Sequence, residues 1–289
     1  MKNIHSKWIL LLTLALVWGS SFILMQKGLE SLSAVQMGSL RIIFAGVFLL
    51  LLGFKQLHKI PKHKWKYLVL TACFGTFFPV YLFAFALTQI DGSVSAILNS
   101  LTPLNTLIIG TVFFGVHFQK RQLYGVLIGF VGSFLIIYSG AENSPNQEYL
   151  YTVLVIIAAI CYAVNVNLLK KHLSDVSPLA ISAGNFAIML VPAIIILSCT
   201  NFYTLYKEPQ VVNSMGYILI LAVIGTGLAK ILFFKLIQMA SPIFASSVTY
   251  LIPVVATVLG VYFYEETLEN LQLIGAVIVL FGVYLSSKK

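Results

Sequence analysis

Acidic residues are scarce in this chain: nine Asp and Glu stand among 289 residues, and charged residues of both signs make up 9%. A soluble domain carries about 25% charged residues, so that class is excluded. Cysteine is equally sparse. Cys73, Cys161 and Cys199 fall in or at the end of apolar runs, with no metal-ligand spacing and no plausible disulfide framework. They read as small core residues, and neither a metal site nor a cofactor site is legible. The phosphate loop GxxxxGK followed by Ser or Thr is missing, so ATP is not hydrolysed by that route. HExxH is missing too. His5, His58, His63, His117 and His172 lie at the ends of apolar runs or between them. An intramembrane serine–histidine hydrolase would therefore have no histidine at depth, and the chain does not read as an enzyme. No carboxylate lies deep in an apolar run either, so the usual carboxylate proton relay is not visible.

What is abundant is hydrophobicity: 59% of residues are hydrophobic and mean hydropathy is +0.95. That composition fits a polytopic, all-α membrane protein. A spanning helix needs about 20 apolar residues. Ten runs qualify, at 8–26, 34–54, 67–87, 94–116, 123–140, 150–169, 178–199, 215–237, 243–263 and 271–287. No small-residue cleavage site follows the first run, so it is read as an uncleaved span. The net charge of +9 sits mostly in short connections, which argues for a lipid bilayer and not for nucleic acid. With the N-terminus in the cytoplasm, thirteen Lys and Arg fall inside, and only Lys27 and Lys207 fall outside. Both termini are then cytoplasmic, and the chain belongs in the cell's inner (plasma) membrane. The basic segment Lys55–Lys66 reads as a topology anchor with Trp65 at the interface, or as a dock for anionic headgroups.

The sequence repeats itself. At an offset of 150, Leu101, Pro103, Gly110, Phe113, Gln122, Leu123, Gly125, Ile128, Gly132 and Leu135 meet identical residues. Five spans per half is an odd number, so the second half must lie inverted relative to the first. The expected organisation is 1–140 and 150–289, two inverted five-helix repeats. Inverted repeats mark secondary transporters, with the substrate site at the repeat interface. Gly125, Gly129, Gly132, Gly275 and Gly282 form small-residue faces for close helix packing, which also suit a homodimer.

The stretch from Gly225 to Gly282 resembles the second half of EamA-like permeases of the drug/metabolite transporter superfamily. Pro253, Gly260, Glu266, Gln272, Gly275 and Gly282 carry the resemblance. Trp18-Gly19-Ser20, Arg41 and Asn99 to Pro103 fit the first half. The resemblance implies ten spans in two inverted bundles, alternating access, and movement of small metabolites. One departure is Val116, where the second half has Glu266 and the family usually has an acid in both halves.

Polar residues inside a bilayer usually face a bundle interior or cavity. Arg41 and Lys230 each lie about seven residues, or about 10 Å, from a span end. Helical side chains tilt toward the helix N-terminus. Arg41 can therefore snorkel to the outer surface, whereas Lys230 points to the membrane middle. Lys230 is expected to offer a positive subsite for a carboxylate or phosphate, or to contact helix carbonyls. Asn99, Thr102, Thr249 and Tyr250 are expected on the cavity wall. Pro103 and Pro253 remove backbone donors, freeing the carbonyls of Asn99 and Thr249. At an offset of 144 Trp18 meets Tyr162, Ser21 meets Asn165 and Arg41 meets Asn185, and the two aromatics suit a pocket for an organic molecule. Asn165 and Asn167 cannot both face the path. Glu266 is a candidate outer gate. The expected function is secondary transport of small organic metabolites, with amino acids or related carboxylates favoured. The alternatives are a broad exporter of toxic compounds and a lipid-handling membrane protein.

Overall fold

The computed structural model describes residues 2–90, 92–138, 149–264 and 270–287. All regular structure among them is helical. In chain order the helices are α1 (Lys2–Leu29), α2 (Ala34–Leu57), α3 (Lys62–Ala86), α4 (Gly92–Asn99), α5 (Thr102–Phe114) and α6 (Lys120–Tyr138). Then follow α7 (Thr152–His172), α8 (Pro178–Ser198), α9 (Pro209–Met239), α10 (Pro242–Ser246), α11 (Val248–Tyr264) and α12 (Asn270–Ser287). Six of them, α1, α2, α3, α7, α8 and α9, are long and apolar enough to cross a membrane. The shortest of the six has 21 residues, about 31 Å at 1.5 Å per residue. Shorter apolar helices lie at Thr102–Phe114, Pro242–Val255 and Leu273–Ser286. Large apolar side chains also face outward, with Leu51 82% and Phe113 75% exposed, as lipid-facing residues are.

Local signals start and stop these helices. The Ser33 hydroxyl accepts the Gln36 N–H at 3.2 Å, and the Gln36 side chain accepts the Ser33 N–H at 2.9 Å. This reciprocal box satisfies two donors that a helix start leaves bare. Ser177 and Ser241 cap α8 and α10, each followed by a proline whose missing N–H costs nothing in the first turn. Gly115 ends α5 at φ 66°, a left-handed position suited to glycine.

Two expected runs are broken. Residues 94–116 split at Ser100–Leu101 into α4 and α5, with Pro103 in the first turn of α5. Residues 243–263 split at Ser247 into α10 and α11. Here Pro253 is not at the break: it lies inside α11. The Thr249 carbonyl that it frees receives the Ser100 hydroxyl at 3.5 Å. α9 starts earlier than the expected 215 because Pro209 sets its first turn.

A bilayer gives little reward for burying leucine, so helix association there rests on close packing and hydrogen bonds. α6 and α12 illustrate this. A methyl on Gly125 would sit 2.6 Å from the Ser286 nitrogen, and one on Gly132 would sit 2.7 Å from the Val279 nitrogen. The expected glycine faces thus meet each other within one chain. α2 packs on α8, α1 on α9 and α11, and α7 on α3 and α5. One buried cluster gathers around Leu11, Leu14, Leu68, Leu169 and Phe234, and another around Met37, Ala84, Ile218 and Leu221. Phe22 packs against both.

Candidate functional site

Two of the long helices contain π turns. One runs through Cys73–Phe77 in α3, the other through Leu221–Leu228 in α9. A π turn shifts the hydrogen bonding to i+5 and widens the helix, and such turns recur at functional sites. Each turn contains Gly-Thr, Gly75-Thr76 and Gly225-Thr226, again at an offset of 150. The Gly225 carbonyl accepts the Trp18 indole N–H at 2.9 Å. The Gly75 carbonyl accepts a hydrogen bond from the Lys230 ammonium. Each widened turn therefore takes a donor from the opposite half of the sequence.

Between the two buried clusters lies a cavity of about 100 Å³. Trp18, Ser21, Arg41, Asn99, Thr102, Tyr162, Lys230 and Thr249 all line it. The sequence missed Met25, Phe83, Phe233 and Gly225, which line it too. The repeated Gly-Thr was the signal available for Gly225 and for Thr226 beside it. The aromatic wall is ordered by ring contacts. Trp18 meets Phe233 edge-on with centroids 5.1 Å apart, and Phe83 stacks near Tyr162 at 6.1 Å.

Arg41 does not snorkel to the surface. Its Nε donates to the Thr226 hydroxyl at 2.8 Å, and its Nη1 approaches the Met25 sulfur at 3.6 Å. The π turn of α9 offers a hydroxyl close at hand, so the guanidinium turns inward. Lys230 is buried, as its direction along α9 required. Besides its bond to Gly75, its Nζ lies 5.6 Å from the Tyr162 ring and 5.9 Å from the Phe234 ring. Among the described residues, no carboxylate lines the cavity. Among the described residues, no group of three or more His, Cys, Asp and Glu could hold a metal ion.

The remaining candidates lie elsewhere. Tyr250 is fully buried outside the cavity, its ring against Gly129 and its hydroxyl donating to the Val126 carbonyl at 2.7 Å. It locks α11 to α6 instead of lining the path. Asn165 is buried beside Gly75, and neither of its amide atoms has a partner among the described residues. Asn167 points elsewhere and donates to the Thr106 and Ala163 carbonyls at 3.0 and 2.9 Å. On α4 and α5 the Thr102 hydroxyl donates to Asn99 Oδ1 at 3.2 Å. Glu266 lies outside the described residues. Away from the apolar helices, Asp175 accepts a hydrogen bond from Lys64, which holds its carboxyl below the ordinary aspartate value.

Comparison with known proteins bears on the whole chain. A sequence model of the EamA-like transporter family matches residues 6–138 and again 150–288. The uncharacterized inner membrane transporter YedA of Escherichia coli K12 is 27% identical over 95% of this chain and 88% of its own length. An uncharacterized transporter of Archaeoglobus fulgidus is 27% identical over 99% of both chains. Protein PecM of Dickeya dadantii is 28% identical over 91% of this chain and 86% of its own. A protein of solved crystal structure superimposes with a TM-score of 0.74 at 15% identity, covering 98% of this chain and 96% of that one. That likeness is one of fold alone.

Proposed function

The chain belongs to the EamA-like transporter family, a family of multi-pass membrane transporters, and from that premise we propose that it is a secondary transporter of small organic metabolites bearing a carboxylate, working by alternating access. Ten spans in two inverted halves, 1–140 and 150–289, form the proposed frame, with both termini on the cytoplasmic side. The packing supports such a frame. α1 sits on α9 and α11 as α7 sits on α3 and α5, an exchange of partners that fits two related halves. The two π turns at one offset support it as well.

The observation that carries the substrate reading is the meeting of Arg41, from the first half, with Lys230, from the second, at one aromatic-walled cavity. Two positive groups at a repeat interface favour an anionic group there and disfavour organic cations. Thermal melting of the purified protein against organic acids, amino acids, sugar phosphates and organic cations tests the proposal. A ligand at 100 times its Kd stabilises the folded state by about 2.7 kcal/mol. A shift with carboxylates that disappears in Lys230→Met is expected. Shifts with cations alone would overturn the carboxylate preference.

A further inference from the structure

Among the described residues, the cavity contains cations without a counter-charge. The chain's nine acids all lie in the connections between its apolar runs. Among the described residues the two ion pairs are Lys27–Glu30 and Lys64–Asp175, neither of which touches the cavity. Arg41 spends Nε on Thr226 and Nη1 on a sulfur, which leaves Nη2 without a hydrogen bond among the described residues. Lys230 gives one bond to Gly75 and has donors to spare. Arg41 and Lys230 line the same cavity, where like charges repel. A guanidinium keeps its charge at any physiological pH.

We infer that the cavity selects net anions and rejects zwitterions: its ligand is an organic acid with an apolar or aromatic body and no ammonium group. This inference rests on the cavity's being the transport site, and it narrows the carboxylate class proposed above. A carboxylate cancels part of the field of Arg41 and Lys230. An α-amino acid brings the same carboxylate with an ammonium on the adjacent carbon, so the ammonium enters the field of two cations with no acid among the described residues to receive it. Like charges within several ångströms at low effective dielectric weaken affinity by about tenfold or more. Trp18, Phe83, Tyr162 and Phe233 supply flat apolar walls for the body of the ligand.

The test uses molecules that share a skeleton. Binding of 3-phenylpropionate, phenylalanine, 3-phenylpropanamide and phenethylamine is measured calorimetrically on the full chain in lipid nanodiscs. The same series is repeated with aliphatic acids and their amino-acid counterparts. Each acid is expected to bind at least about tenfold more tightly than its amino-acid or amide counterpart. Lys230→Met and Arg41→Gln, used only where size-exclusion behaviour is unchanged, are expected to erase that gap. Should Arg41→Gln fail to fold, the amide series carries the same comparison on the native chain. Amino acids binding as tightly as their acids, with that binding lost in Lys230→Met, would overturn the net-anion inference and leave carboxylate transport standing. Phenethylamine binding alone would overturn both. Absence of binding by every acid overturns the inference as well.

Discussion

The two π turns are sequence copies with different surroundings. At Gly225-Thr226 the turn's carbonyl and hydroxyl and the nearby Ser21 hydroxyl all have partners: Trp18 bonds the carbonyl, Arg41 bonds the hydroxyl, and Ser21 bonds Val17 of its own helix. At Gly75-Thr76 only the carbonyl is occupied, by Lys230. Thr76 Oγ1, both amide atoms of Asn165 and the Asn185 amide nitrogen are buried without partners among the described residues. By offset, Asn165 stands where Ser21 does, and Asn185 where Arg41 does. One turn is thus satisfied in this conformation and its copy is not. A buried polar group without a partner costs about 1–3 kcal/mol, so the first-half turn is where another arrangement has the most to gain.

The largest expected difference comes from adding a methyl to each turn. In Gly75→Ala it would overlap the buried Asn165 amide, whereas in Gly225→Ala it meets the movable ends of Leu221 and Ser21 at 2.9 Å. Overpacking costs about 1–3 kcal/mol, so Gly75→Ala should lower the melting temperature clearly more than Gly225→Ala. Adding Asn165→Ala to Gly75→Ala should recover most of that loss; no recovery would mean that the clash lies elsewhere.

A smaller contrast comes from the hydroxyls. Thr226→Val removes the partner of Arg41 and should cost about 0.6 kcal/mol and at most about 1.7 kcal/mol, as hydrogen bonds inside membranes do. Thr76→Val removes a hydroxyl that has no partner and should be neutral or stabilising. Equal losses in chemical denaturation would break the asymmetry between the turns.

The smallest effect provides a reference outside both turns. Lys64 lowers the Asp175 carboxyl in the folded state. A carboxyl that binds protons less well when folded contributes stability above the ordinary aspartate pKa of about 3.9, and loses it as pH falls through the lowered folded value. Asp175→Asn should remove only that acid-side slope in melting temperature against pH. The differences between the two turns should survive it.

The buried position of Lys230 and the polar pair Asn99 and Thr102 were legible in the sequence, whereas the copied Gly-Thr at 75 and 225 gained meaning only from the π turns that hold it. Other features were not legible. Arg41 has an easy route to the surface by the geometry of its own helix, and only the neighbouring hydroxyl of Thr226, 185 residues away, draws it inward. Tyr250 was grouped with Thr249 by adjacency, but neighbours on a helix point about 100° apart. Thr249 lines the cavity, while Tyr250 reaches Gly129. The break in the second half also fell at Ser247 and not at Pro253.

By itself the sequence determined that this chain is helical and lives in a membrane, because apolar run length and scarcity of charge are local properties that no tertiary contact can reverse. It also carried the repeat, since identical residues at a constant offset need no coordinates. Only the tertiary structure decided which polar side chains share one cavity and which bond to the backbone of another helix. Those choices depend on how each helix is rotated about its axis and how closely it packs on partners far away in the sequence. Hydrophobic periodicity constrains that rotation weakly where a helix is apolar on nearly every side.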